Sequence, residues 1–100
     1  MQNLLSKKEI NQFKKDGAVF IKGKFDKSWI EKLRNGIDSD INNPSPRFVN
    51  HTKDSDFPGY YEDFWTWNLY SEFKDFVFNS PTSKIASELL DASRINLVMD

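Results

Sequence analysis

Cysteine is absent from the 100 residues, so disulfides, thiolate metal sites and cysteine nucleophiles are excluded. Histidine occurs once, at position 51, in a polar stretch with no second ligand at helical or strand spacing, which makes a metal assignment to His51 weak. No charge sign dominates: 14 Lys and Arg stand against 15 Asp and Glu, mixed along the chain, for a net charge of −1. A basic patch able to hold a phosphate backbone is therefore missing, which argues against nucleic acid as a partner. No apolar run approaches the roughly 20 residues of a membrane span, and MQNLLSKKEI has no apolar core of signal-peptide length. A soluble, cytoplasmic protein is expected, and at this length it has at most one domain.

Aromatic residues, by contrast, are plentiful at 15%, which argues against disorder. They concentrate between Phe57 and Trp67, where FPGYYEDFWTW places six aromatics in eleven positions. Pro58, Gly59 and two acids interrupt the run, so neither a helical stripe nor a strand alternation explains it. Two readings stay open. The rings close a small core, or part of the run walls a ligand pocket, since pockets pair aromatics with a few placed polar groups.

Around this run the sequence predicts ordinary elements. Ser6 and Glu9 form a capping box, Leu5 and Ile10 the hydrophobic staple beside it, and Gly17 a left-handed stop, giving a helix over residues 7–16. The apolar, β-branched run from Ala18 to Ile21, between Gly17 and Gly23, predicts a strand over 18–22. Asp26 caps a second helix over 27–41, with Ile30, Leu33, Ile37 and Ile41 as a stripe facing that strand. Gly36 inside it implies either close packing or a soft spot. Residues 43–67 hold three of the four prolines and read as a long loop, functional or mobile. Asp54 and Asp56 within it lack the rest of a calcium loop and read as solvated turn residues. Helices follow over 70–78 and 81–91, the latter capped by Ser80 with Pro81 in its first turn, and a strand over 94–99. That last strand either pairs with residues 18–22 in a two-stranded core, or the chain is the front of something longer.

In order, the phrases LSKKEINQFKKDGAVFIKG, FDKSWIEKLRNGI, NPSPRF, YYEDFWTW, EFKDFVFNSP, SKIASELL and INLVMD resemble the opening third of phytanoyl-CoA dioxygenase-like proteins, over nearly the whole chain. The resemblance implies an α+β fold class: the N-terminal helices and first strands of a double-stranded β-helix (jelly-roll, cupin-like), here truncated. It implies an enzyme using Fe(II) and 2-oxoglutarate to hydroxylate a small organic or acyl substrate. The two histidines and one carboxylate of that family's iron site, and a basic residue that helps hold 2-oxoglutarate, correspond to positions after Asp100. No catalytic, metal or cofactor-binding residue can therefore be assigned by matching, and the chain alone is expected to be inactive and to bind neither iron nor 2-oxoglutarate. The resemblance instead makes 43–67 a lid and pocket wall, with Tyr60, Tyr61, Asp63, Trp65 and Trp67 as its wall residues and Glu62 or Asp63 fixing the loop or a substrate hydroxyl. The alternative is a free-standing, non-catalytic binding module that uses the aromatic stretch 57–67 as its contact surface.

Overall fold

A computed structural model describes residues 3–100. Its first helix, α1 (Lys7–Asp16), starts at the predicted capping box: the Glu9 amide donates to the Ser6 hydroxyl at 3.1 Å and the Ser6 amide to the Glu9 carboxylate at 2.9 Å. It stops at Gly17, whose φ of 75° lets its N–H reach the Phe13 carbonyl at 2.8 Å. Helix α2 (Lys27–Asn42) starts where the Asp26 carboxylate accepts from the Trp29 amide. Two shorter helices, α3 (Ser71–Asn79) and α4 (Thr82–Leu90), are separated by Ser80 and Pro81, and the Ser80 hydroxyl accepts from the Thr82 amide. These helices lie within a residue or so of the expected bounds, the normal uncertainty of a frayed end.

The two expected strands are not formed. Residues 18–22 and 94–99 have strand-like composition but pair neither with each other nor with any other described segment. A strand is a property of two partners, and composition alone supplies no ladder. Phe20 is 81% exposed and Val98 91%. The sheet lies instead inside the stretch read as loop: β1 (Val49–Asn50) runs antiparallel to β2 (Tyr61–Glu62), with Val49 opposite Glu62 and Asn50 opposite Tyr61. Four helices and this short hairpin make an α+β arrangement among the described residues.

The isoleucine stripe of α2 also faces a different way from that expected. Trp29, Gly36 and Asp40, spaced for one helical face, turn toward α3, where Trp29 meets the Phe76 ring edge-on at 6.0 Å and the Tyr70 hydroxyl reaches Asp40. Lys32 pairs with Asp75 alongside. Ile30, Ile37 and Ile41 each follow one position later, about 100° round the helix, and stay exposed, whereas Leu33, the fourth member of the expected stripe, is half-buried. Gly36 is buried because the helices cross there, and a Cβ on it would lie 2.7 Å from the Phe73 ring and 3.1 Å from the Glu72 Cβ. Close packing, not a soft spot, accounts for this glycine.

Helix α1 packs on α4, and the residues before it are tied down by Glu88, whose carboxylate accepts the Leu4 and Leu5 amides at 3.0 Å each. Leu5 is the single buried large hydrophobic residue among those described. The accessible surface is 7968 Å², against about 5,900 Å² for a compact monomer of this mass. The radius of gyration, 16.4 Å, likewise exceeds the roughly 13 Å of a compact chain of this length. No helix among the described residues is long and apolar enough to cross a membrane.

Gly36→Ala tests the helix crossing. Alanine is the better helix former by about 1 kcal/mol, but overpacking against Phe73 and Glu72 costs about 1–3 kcal/mol. A net loss of about 1 kcal/mol is expected in urea unfolding, and a gain in stability would show that the helices do not meet tightly at Gly36.

Candidate functional site

Besides Leu5, the side chains best removed from water are hydroxyls: Ser45, Thr66 and Ser80. Buried hydroxyls require partners. Those of Ser45 and Thr66 anchor a polar clasp that holds the turn 43–48 against residues 63–67. Ser45, between Pro44 and Pro46, donates its hydroxyl to the Asp63 carboxylate and its amide at 3.2 Å, while the Arg47 amide donates back to the Ser45 hydroxyl at 3.1 Å. Asp63 also accepts the amide of Phe64 at 2.9 Å. Arg47 Nε donates to the Phe64 carbonyl at 2.9 Å and Nη2 to the Trp65 carbonyl at 3.3 Å, with the guanidinium 5.6 Å from the Trp65 ring centroid. On the far side, Asp100 Oδ2 gathers the Thr66 amide at 2.9 Å, the Thr66 hydroxyl at 2.8 Å and the Trp67 amide at 2.8 Å.

The clasp holds Trp65 at φ 56°, a left-handed conformation that costs a bulky residue about 1–2 kcal/mol. Trp65 is 54% exposed. Trp67 turns inward, edge-on to Phe78 at 5.7 Å. Of the five residues expected to wall a pocket, Asp63, Trp65 and Trp67 are thus brought together by the clasp. Tyr60 and Tyr61 sit apart on the hairpin, Tyr61 stacked on Phe48 at 5.6 Å and Tyr60 beside the His51 ring at 5.1 Å. Glu62 reaches diagonally across the hairpin to His51 at 2.7 Å. Gly59 lies under the Tyr61 hydroxyl, so any side chain there would displace that ring. The open clefts at α1–α4, lined by Ile10, Lys14 and Glu88, and at α2–α3, lined by Lys32, Glu72 and Asp75, contain none of these five residues.

Titration properties gather where α2 meets the clasp. The Tyr70 hydroxyl lies between the Asn43 carbonyl and the Asp40 carboxyl. Burial raises the pKa of Asp40 to about 6, helped by its hydrogen bond to Asp63 and the Asp63 charge, with Tyr70 opposing and Asp100 adding a little. At Asp63 partial burial works in the same direction, but the Ser45 hydroxyl, the Asp40 carboxyl and the Ser45 and Phe64 amides outweigh it and hold the group below its usual range. Below about pH 6 Asp40 therefore carries a proton that Asp63 accepts, and above it that proton is lost. Burial, with the Asp40 charge, raises the Tyr70 phenol.

Sequence reasoning did not find Asp40, Ser45, Arg47, Tyr70 or Asp100. A serine between two prolines carries a turn signal. Asp100 carries none, because its partners lie 33 and 34 residues away. The residues present do not fit an iron site of two histidines and a carboxylate: the single histidine is engaged by Glu62, and no three metal-binding side chains converge among the described residues. Asp54 and Asp56 lie exposed in the hairpin loop. Compared with protein-family models, with curated proteins and with solved structures, the chain matches none.

The raised pKa of Asp40 means that the fold binds its proton more tightly than the unfolded chain does. Asp40 therefore favours folding below its ordinary value of 3.8, and that contribution is lost as pH rises through about 6. Asp63 slopes oppositely, its contribution present at neutral pH and lost on acidification. Asp40→Asn keeps a donor for Asp63 and cannot ionise. Urea unfolding from pH 3.8 to 6 should show the decline removed and the variant the more stable protein at pH 7; superimposable profiles would mean that Asp40 holds no extra proton. Thr66→Val deletes one of the three donors to Asp100 and should cost about 1 kcal/mol, whereas an unchanged midpoint would make the clasp dispensable.

Proposed function

We propose that these 100 residues are the N-terminal part of an Fe(II)- and 2-oxoglutarate-dependent dioxygenase on a double-stranded β-helix, which hydroxylates a small organic or acyl substrate in the cytoplasm. The single observation carrying the reading is the surplus of apolar surface, which sits on elements that would buttress a sheet. The isoleucine stripe of α2 and the unpaired segments 18–22 and 94–99 together expose Phe20, Ile30, Ile37, Ile41, Leu97 and Val98. Exposed apolar faces of this size call for a cover, and further strands of one fold would supply it. The order of phrases from LSKKEI to INLVMD agrees with the same reading.

On this reading iron and 2-oxoglutarate are held by residues outside this chain, since its own do not supply the donor set, and together they supply the oxidising chemistry. The residues present do other work. The α2–α3 crossing fixes the base of the loop, and the clasp of Ser45, Arg47, Asp63 and Asp100 presents Trp65 in one orientation. Tyr60, Tyr61 and Trp65 then form wall against substrate, with Trp67 anchoring that wall to α3 through Phe78. A second reading, a free-standing binding module, is favoured by the exposure of Phe57 (79%) and Tyr60 (64%) on the hairpin; aromatic surfaces of this kind suit an apolar or carbohydrate partner.

The coding sequence after the Asp100 codon tests the leading reading. It should specify a histidine and a carboxylate two residues apart within the next few tens of positions, and the longer product should release succinate from 2-oxoglutarate only with Fe(II). The 100-residue chain should release none. Turnover by the short chain, or a stop codon directly after Asp100, would overturn the proposal and leave the binding module.

A further inference from the structure

The segment Arg94-Ile95-Asn96-Leu97-Val98-Met99-Asp100 has an open edge. No backbone N–H or C=O of residues 94–99 has a hydrogen-bond partner among the described residues. None of these residues is helical or has a positive φ, so the backbone is free to lie as a strand. In a strand, Ile95, Leu97 and Met99 fall on one face and Arg94, Asn96, Val98 and Asp100 on the other. Both edges and much of the apolar face lie in water, with Leu97 47% and Met99 68% exposed. Such an edge is a template for another strand.

The sequence of the segment selects the occupant. Arg94 has no ion-pair partner among the described residues, and Asp100 Oδ1 accepts no hydrogen bond there, all three internal donors going to Oδ2. We propose that this segment pairs antiparallel with the same segment of a second copy of the chain, about a two-fold axis at Leu97. That register sets Arg94 opposite Asp100 of the second copy, Ile95 opposite Met99 and Asn96 opposite Val98, and the two-fold repeats each pair. Opposite charges directly across a ladder stabilise it and like charges oppose it. Parallel pairing in register would put Arg94 on Arg94 and Asp100 on Asp100, so the charges choose the antiparallel arrangement.

Two further features favour a second copy. Thr66 and Trp67 already fix the Asp100 end of the segment, which lowers the ordering cost of pairing. The segment also leaves Leu97, Val98 and Met99 exposed, so pairing it removes apolar side chains from water. The inference concerns the 100-residue chain and does not rest on the oxygenase reading, on which further strands of one fold would cover the same segment in the longer product.

Sedimentation velocity of the 100-residue chain over a range of concentrations tests it, with hydrogen exchange as a second readout. A reversible monomer–dimer equilibrium is expected, with Leu97 at a non-hydrogen-bonded position of the ladder and the amides of Asn96 and Val98, which then bond across it, slowed as dimer forms. Val98→Pro removes one ladder donor from a residue that is 91% exposed, and should weaken association at least tenfold while leaving helical content unchanged. Arg94→Asp should weaken it too, more at low salt than at high salt. Ile37→Lys, on the exposed stripe of α2, should leave association unaltered. A monomer at every concentration, an open-ended series of oligomers, or loss of the dimer in Ile37→Lys but not in Val98→Pro would each overturn the proposal. None of these outcomes bears on iron-dependent turnover, which is read separately on the longer product.

Discussion

The close approach of α2 and α3 at Gly36 is the constraint on which the other contacts depend. With no Cβ on one helix, the Phe73 ring reaches the other helix's backbone, and Trp29, Lys32 and Asp40 find Phe76, Asp75 and Tyr70 along the same line. Tyr70 stands at the entrance to α3 and touches both Asp40 and the Asn43 carbonyl, so the crossing also fixes where the long connection leaves α2 and where it returns. Ser45, Arg47 and Asp63 are built on those two fixed points.

The helices were legible because their signals are local. Ser6 and Glu9 are three apart, Asp26 and Trp29 three apart, and each cap is complete within one turn. Strands cannot be read in that way. Ala18 to Ile21 and Ile95 to Met99 have the right composition, but a ladder needs a partner and the described residues offer none. The hairpin was missed for the opposite reason, since only two residues on each side pair and its loop, residues 51–60, dilutes any alternation. On α2 the spacing of Ile30, Ile37 and Ile41 was seen correctly but given the wrong neighbour, because Trp29, Gly36 and Asp40 define a competing face one position earlier.

The candidate site divides along the same line. Aromatic density pointed to residues 57–67, and Asp63, Trp65 and Trp67 do converge there. What brings them together lies outside that window: Ser45 and Arg47 from the turn after α2, and Asp100 from beyond α4. Contacts of this range leave no periodic trace. The exposed aromatic surface is thus positioned by polar residues that are individually ordinary, and the burial of Ser45 and Thr66 distinguishes them from other loop serines and threonines.

The grip of Glu88 on the Leu4 and Leu5 amides bears on the order in which the molecule assembles. Those contacts span 83 and 84 residues, whereas the hairpin joins positions 11 to 13 apart and the Tyr70–Asp40 contact spans 30. Loop-closure entropy grows with separation, and contacts distant in sequence form late when nothing shorter has prepared them. Here the α2–α3 pair and the short link to α4 shorten the effective loop before α1 arrives. On these separations helix α1 is expected to be the last element to dock and the first to leave, with Glu88 as its latch.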